Sequence, residues 1–433
     1  MFIASGVKRV ELHTKGRKVV RRDGKQILLI EAGERVFAIA NRCPHEGYPL
    51  SEGTLSSDCL LTCNWHNWKF DLGTGETLVG RDPVRTYPVE LRGKEIFFDL
   101  SDPPAEVQRA RALRGLEAAI ADNDMARMAR ELARLERAGF DARLGLSHVI
   151  AERNQRLEDG MTHAHAAAAD WLMLADRAPS PAMRLAALLE PVGHLADDTL
   201  GAGEFPYAAG RAEWDPHAFV VAIEMEDEST AVALVRGALC AGLTYDALRP
   251  AFGEAALAHY ADFGHCAIYT FKTGQLVGRL ESEATEPLLL ALTRMLVRAT
   301  REERLPEFRS YANALEAWHS TGREPARADD FIGVSIDGAL KRTLASCGRT
   351  VREVYDALMG AAAWNLLNFN RAFEQTADGV IADNIGWLDF TPSPSPTPAG
   401  TSANKGLTCG RAPCCRWRCS LAATANIRTW IKM

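Results

Sequence analysis

The stretch from Cys43 to Phe70 constrains this chain more than any other. It reads Cys-Pro-His-Glu-Gly-Tyr-Pro-Leu at its start and Cys-Asn-Trp-His-Asn-Trp-Lys-Phe at its end. Cys43 and His45 form one pair of metal ligands, and Cys63 and His66 form a second pair after an interval of 17 residues. Two thiolates and two imidazoles delivered by two short loops suit a zinc ion. They equally suit an iron–sulfur cluster in which His replaces Cys on one iron.

The surroundings of that stretch predict β structure. Lys25-Gln-Ile-Leu-Leu-Ile and Val36-Phe-Ala-Ile-Ala are short apolar runs separated by a turn signal, Glu31-Ala-Gly-Glu-Arg. Asp71-Leu-Gly-Thr-Gly-Glu is another turn and Lys94-Glu-Ile-Phe-Phe-Asp-Leu another strand. Short strands with Gly-rich turns suggest a small antiparallel β domain.

Cys-x-His followed by Cys-x-x-His, with Gly-Tyr-Pro-Leu after the first pair and Trp-Lys-Phe-Asp after the second, resembles the Rieske ferredoxin family over residues 5–100. The resemblance implies a [2Fe–2S] cluster on two loops at the tip of the domain. Cys43 and Cys63 would hold the inner iron as thiolates, while His45 and His66 would hold the outer iron near solvent. Gly47 and Pro49 would shape the loops. Asn67 stands where Gly usually follows the second His, and Asn is among the residues that best tolerate positive φ. Cys59, four residues before Cys63, reads as a small buried thiol and not a ligand.

High-potential members of the family have Ser and Tyr hydroxyls beside the cluster and an extra Cys pair bridging the loops. Here Trp68 and Phe70 take the hydroxyl positions, and Tyr48 and Trp65 those of the bridging Cys. Hydrogen-bond donors stabilise the more negative reduced cluster, so their loss lowers the potential. The domain resembles the ferredoxin type that feeds soluble oxygenases.

Ser101-Asp-Pro-Pro-Ala ends this domain, because two prolines forbid helix continuation. The expected organisation is a β domain over 1–100, a linker over 101–105, a mostly α-helical domain over 106–390 and a tail over 391–433. Met125, Met128, Leu132 and Leu135 recur at helical spacing after an Asp122-Asn-Asp124 start signal, and Gly139 stops the run. Leu288, Leu292, Met295 and Leu296 repeat the pattern, and Phe219-Val-Val-Ala-Ile reads as helix among alanines. The tail opens Thr-Pro-Ser-Pro-Ser-Pro-Thr-Pro, a disordered composition. Its abrupt change of character also resembles a shifted reading frame.

Charge excludes some partners. The chain carries a net −6, yet from Phe390 to Met433 there is no acid and six Lys or Arg, which leaves −12 on the remainder. An acidic body argues against a nucleic-acid surface. No apolar run reaches the length of a spanning helix and the first residues lack a signal-peptide core, so the expectation is a cytoplasmic protein away from membranes. Of ten cysteines, two are proposed ligands and four lie in the tail; the rest read as thiols. No Gly-x-Gly-x-x-Gly or P-loop pattern occurs. A flavin- or nicotinamide-dependent reductase would therefore be a separate electron donor.

The helical part concentrates histidine in four places. They are His163 with His165, His194 before Asp197 and Asp198, His259-Tyr-Ala-Asp262-Phe-Gly-His265, and Glu316-Ala-Trp-His319. Glu-x-x-His is a spacing of di-iron helix bundles, although His319 runs into a helix-ending Ser-Thr-Gly. A second metal, or a polarised substrate, is expected around His163, His259 and His265. The catalytic-iron pattern of Rieske oxygenase α subunits, Asp/Glu-x-x-His-x4-His, is not met. Five residues separate His259 from His265, and Ala256 stands at the acid position.

The sequence thus implies a cluster that passes single electrons to, or through, a fused oxidoreductase- or oxygenase-like domain acting on a small molecule. The alternative is a carrier whose helices serve docking or oligomerisation.

Overall fold

The computed structural model describes residues 1–259, 264–301, 304, 309–319, 321–368, 375–377 and 380–383. The expected disordered or frame-shifted tail, 391–433, lies outside the described residues. The chain divides into two compact units, Met1–Arg111 and Ala112 onward.

The first unit is built from antiparallel sheets. Its elements are β1 (Phe2–Lys8), α1 (Arg9–Lys15), β2 (Arg17–Arg22), β3 (Lys25–Ala32), β4 (Arg35–Ala40), β5 (Thr54–Leu55), β6 (Leu60–Thr62), β7 (Lys69–Asp71), β8 (Thr77–Val79), β9 (Thr86–Tyr87), β10 (Val89–Arg92) and β11 (Glu95–Asp99). The sheets run in the orders β1-β11-β10, β2-β3-β4-β9 and β5-β6-β7-β8.

β3 explains why its sequence reads as a run and not an alternation: both of its faces are buried. Leu28 and Ile30 face a core with Phe37, Leu61, Phe70 and the two loop cysteines. Ile27 and Leu29 face another core with Leu12, Ile96 and Phe98. Each such side chain contributes about 1.5–3 kcal/mol by leaving water. β3 therefore anchors the sheet beneath the loops.

The second unit is helical, and its first helix starts within the last residues of the first unit. Its elements are α2 (Ala105–Ala121), α3 (Met125–Arg137), α4 (Arg143–Arg153), α5 (His163–Arg177), α6 (Pro181–Asp198), α7 (Pro216–Glu224), α8 (Glu228–Cys240), α9 (Tyr245–Ala258), α10 (His265–Val277), α11 (Thr285–Val297), α12 (Ser310–Glu316), α13 (Ile336–Ser346) and α14 (Val351–Leu367). Asp124 caps α3 by accepting from the Arg127 N–H, and Gly139 follows the helix at φ 90°. Met128, Leu132 and Leu135 are buried as the spacing predicts, whereas Met125 at the first position is exposed. One core joins α2 through α11, and a smaller one joins Tyr311, Phe331, Leu340, Val354 and Leu358. An antiparallel pair, β12 (Gln375–Ala377) with β13 (Val380–Asp383), lies within the range expected to be helical. No described helix is long and apolar enough to cross a membrane.

Candidate metal centre

Two loops of matching backbone design carry the four proposed ligands. In the first, the Arg42–Pro49 bridge closes residues 43–48; in the second, the Thr62–Lys69 pair of the β6–β7 hairpin closes 63–68. The Cys43 N–H donates to the Tyr48 carbonyl (2.8 Å) and the Gly47 N–H donates to the Cys43 carbonyl (2.9 Å). The second loop repeats both bonds, Cys63 N–H to the Trp68 carbonyl (2.7 Å) and Asn67 N–H to the Cys63 carbonyl (2.9 Å). Each loop needs a left-handed residue at its fifth position, and Gly47 at φ 77° and Asn67 at φ 61° supply it. Asn67 thus takes the conformation its departure from Gly had put in question.

The loops bring the four side chains together with thiols inside and imidazoles outside. Cys43 and Cys63 are 4% and 1% exposed, and their sulfurs lie within hydrogen-bonding reach of each other. Burial pushes the Cys43 thiol up to about 11; the His45 and Glu46 backbone N–H groups oppose that shift, and the Cys63 sulfur adds to it. His45 and His66 are exposed, with Nδ1 atoms 3.1 Å apart. Glu46 is the only other ligating side chain grouped with them among the described residues. Two buried sulfurs beside two exposed imidazoles with converging Nδ1 atoms fit the donor set of a cluster with one Cys-held and one His-held iron.

Aromatic rings brace both imidazoles. Trp68 stacks on His45 (4.8 Å, 14°) and Trp65 on His66 (5.3 Å, 13°). Tyr48 meets Trp65 edge-on across the two loops at 5.4 Å. An aromatic contact therefore joins the two loops. Phe70 is fully buried beneath them. Gly80, at φ 126°, leaves room for the indole: a Cβ there would meet Trp68 at 2.4 Å. Cys59 is half-buried in the turn before β6 at φ 62°.

The histidines of the second unit separate into different roles. His165 is buried in the first turn of α5, where its Nδ1 accepts from the Thr162 N–H (3.3 Å), and burial lowers its pKa to about 4. His259 is buried between Glu224 (2.9 Å) and Arg301 (2.6 Å). α9 ends at Ala258 and α10 begins after Gly264, a left-handed residue at φ 76°, so His259 and His265 do not share a helix. Asp262 lies outside the described residues. His163 and His265 do meet, at 4.8 Å between ring centroids. Glu316 ends α12, so His319 is not on one helix with it; its carbonyl accepts from the Cys347 thiol. His194 lies 3.7 Å from Glu190, while Asp197 accepts from the Asn123 amide and Asp198 from the Thr162 hydroxyl. A polar cavity of about 420 Å³ is lined by Glu117, His148, Arg153, Arg156 and Glu204. Its charges largely pair internally, as His148 with Glu117 (2.7 Å) and Arg156 with Glu204 (3.3 Å).

Comparison with known proteins bears on the first unit. The family described as Rieske [2Fe-2S] domain matches residues 5–88. The 3-phenylpropionate/cinnamic acid dioxygenase ferredoxin subunit of Shigella boydii serotype 4 is 40% identical over 78 residues, 18% of this chain and 74% of that protein. The Escherichia coli (strain K12) protein of the same name matches to the same extent. Among solved structures, the ferredoxin of carbazole 1,9a-dioxygenase from Nocardioides aromaticivorans IC177 is 26% identical, covering 23% of this chain and 99% of that one, with a TM-score of 0.22. The cofactor of such a domain is a [2Fe–2S] cluster. Through its amino-terminal unit, the chain belongs to the Rieske [2Fe-2S] domain family.

Proposed function

We propose that Cys43, His45, Cys63 and His66 hold the [2Fe–2S] cluster and that the cluster passes single electrons to, or through, an oxidoreductase- or oxygenase-like helical domain. The observation that carries the reading is the pair of matching loops, with buried sulfurs beside two exposed imidazoles whose Nδ1 atoms converge to 3.1 Å. The cluster supplies one-electron storage and transfer when bound. The chain's own residues do the rest. The buried cysteines are kept from water, and the His45 and Glu46 N–H groups donate toward the Cys43 sulfur. Trp65 and Trp68 fix the two ring planes, leaving the histidine side open to a redox partner.

The domain reading is a cluster-bearing part over 1–100, joined through 101–105 to a helical part over 106–390. Electrons would come from a separate flavin- or nicotinamide-dependent reductase and serve an oxygenase reaction on a small molecule. Support for that direction is the description of the relatives as ferredoxin subunits of a dioxygenase. A cytoplasmic setting accords with unbridged thiols at Cys59, Cys240, Cys266 and Cys347.

The test is stepwise reduction of the full-length chain by a ferredoxin reductase and NADH, followed by exposure to oxygen and small aromatic acids. Substrate-dependent reoxidation of the cluster supports an enzyme. Reoxidation only by an added oxygenase component would favour the carrier.

A further inference from the structure

The helical unit holds a second pair of histidines that meet from distant parts of the chain. His163 opens α5 and His265 opens α10, and their rings lie 4.8 Å apart at 89°. Tyr269, buried one turn along α10, stacks on His265 (5.2 Å, 17°) and meets His163 edge-on (6.2 Å).

We propose that His163 and His265 together bind a first-row divalent cation. Imidazole suits zinc, iron, nickel and copper. Rings this close are within reach of one ion held about 2.0–2.1 Å from a nitrogen of each. Both side chains sit in the first turn of a helix, so rigid backbone at α5 and α10 sets where the two rings meet. Two imidazoles leave the remaining positions on the ion open for water or another small ligand. Stacking on buried Tyr269 fixes the plane of His265, and the exposure of His163 gives the ion a way in. His165 and His259 are not ligands, being engaged with Thr162 and with Glu224 and Arg301.

A role for this ion as the electron's destination rests on the proposed reading of the cluster; its binding does not. The test uses the full-length, cluster-loaded protein dialysed against micromolar Ni²⁺, with nickel and iron counted as separate elements. His163→Gln, His265→Gln and the double variant are compared with the unaltered chain. Because His163 is exposed, His163→Gln leaves the core intact even if a change at His265 does not. The expected result is one fewer nickel per chain in each variant, with iron unchanged. Nickel should also raise the melting temperature of the unaltered chain and not that of the double variant. Equal nickel in the unaltered chain and His163→Gln overturns the site, whatever the iron content. Absent iron with the nickel difference intact sinks the cluster reading and leaves the site standing.

Discussion

At Gly80 the absence of one Cβ decides where Trp68 lies, and through Trp68 how the His45 ring is held. Gly80→Ala adds a side chain at a backbone angle that favours glycine and drives it into the indole. The expected cost is roughly 3 kcal/mol of the first unit's stability, read from its denaturant midpoint. A midpoint equal to that of the unaltered chain contradicts the packing described. His165 gives the second unit a pH dependence. Unfolded, it takes up a proton near pH 6.5; folded and buried, it does so only near pH 4. The unfolded state therefore binds more protons between those values. Its contribution is full above pH 6.5 and is lost as pH falls toward 4, by about 3 kcal/mol in all. Unfolding measured across that window should steepen toward acid, and His165→Gln should remove most of the slope.

At the scale of elements, the two ligand loops were legible because their information is local. The cysteines, the histidines and the residues at positive φ all lie within two hexapeptides, and Asn67 is as legible as Gly47. β1, α1 and β2 were not legible. Arg17-Lys-Val-Val-Arg-Arg buries only Val20, so its apolar signal is a single residue. The meeting of His163 with His265 was hidden for another reason: it depends on how α5 and α10 pack, which no local pattern encodes. The loop sequence also carries the redox expectation. With Trp68 and Phe70 in place of hydroxyl donors, voltammetry should give a midpoint toward the low end of the Rieske range, roughly −150 mV rather than +300 mV. A clearly positive midpoint counts against it. In the second unit, Arg294 on α11 is buried between Glu228 of α8 (2.7 Å) and the carbonyls of Leu157 and Phe205. Glu228→Gln strands that guanidinium and should cost about 3 kcal/mol in thermal unfolding.

For the whole molecule, the β-then-α order followed from a change of periodicity at Pro103-Pro104, just before α2 begins at Ala105. The helical unit's chemistry was less legible, since its acids and histidines mostly pair with one another, as His259 does with Glu224. The function proposed for the whole molecule depends on Cys43, His45, Cys63 and His66 holding an iron–sulfur cluster and not zinc. The most direct measurement is elemental and sulfide analysis of the full-length protein beside Cys63→Ser and His66→Ala. About two irons and two sulfides per unaltered chain are expected, with both lost together in each variant. Zinc without sulfide in the unaltered chain, or a full iron and sulfide complement in Cys63→Ser, would contradict it.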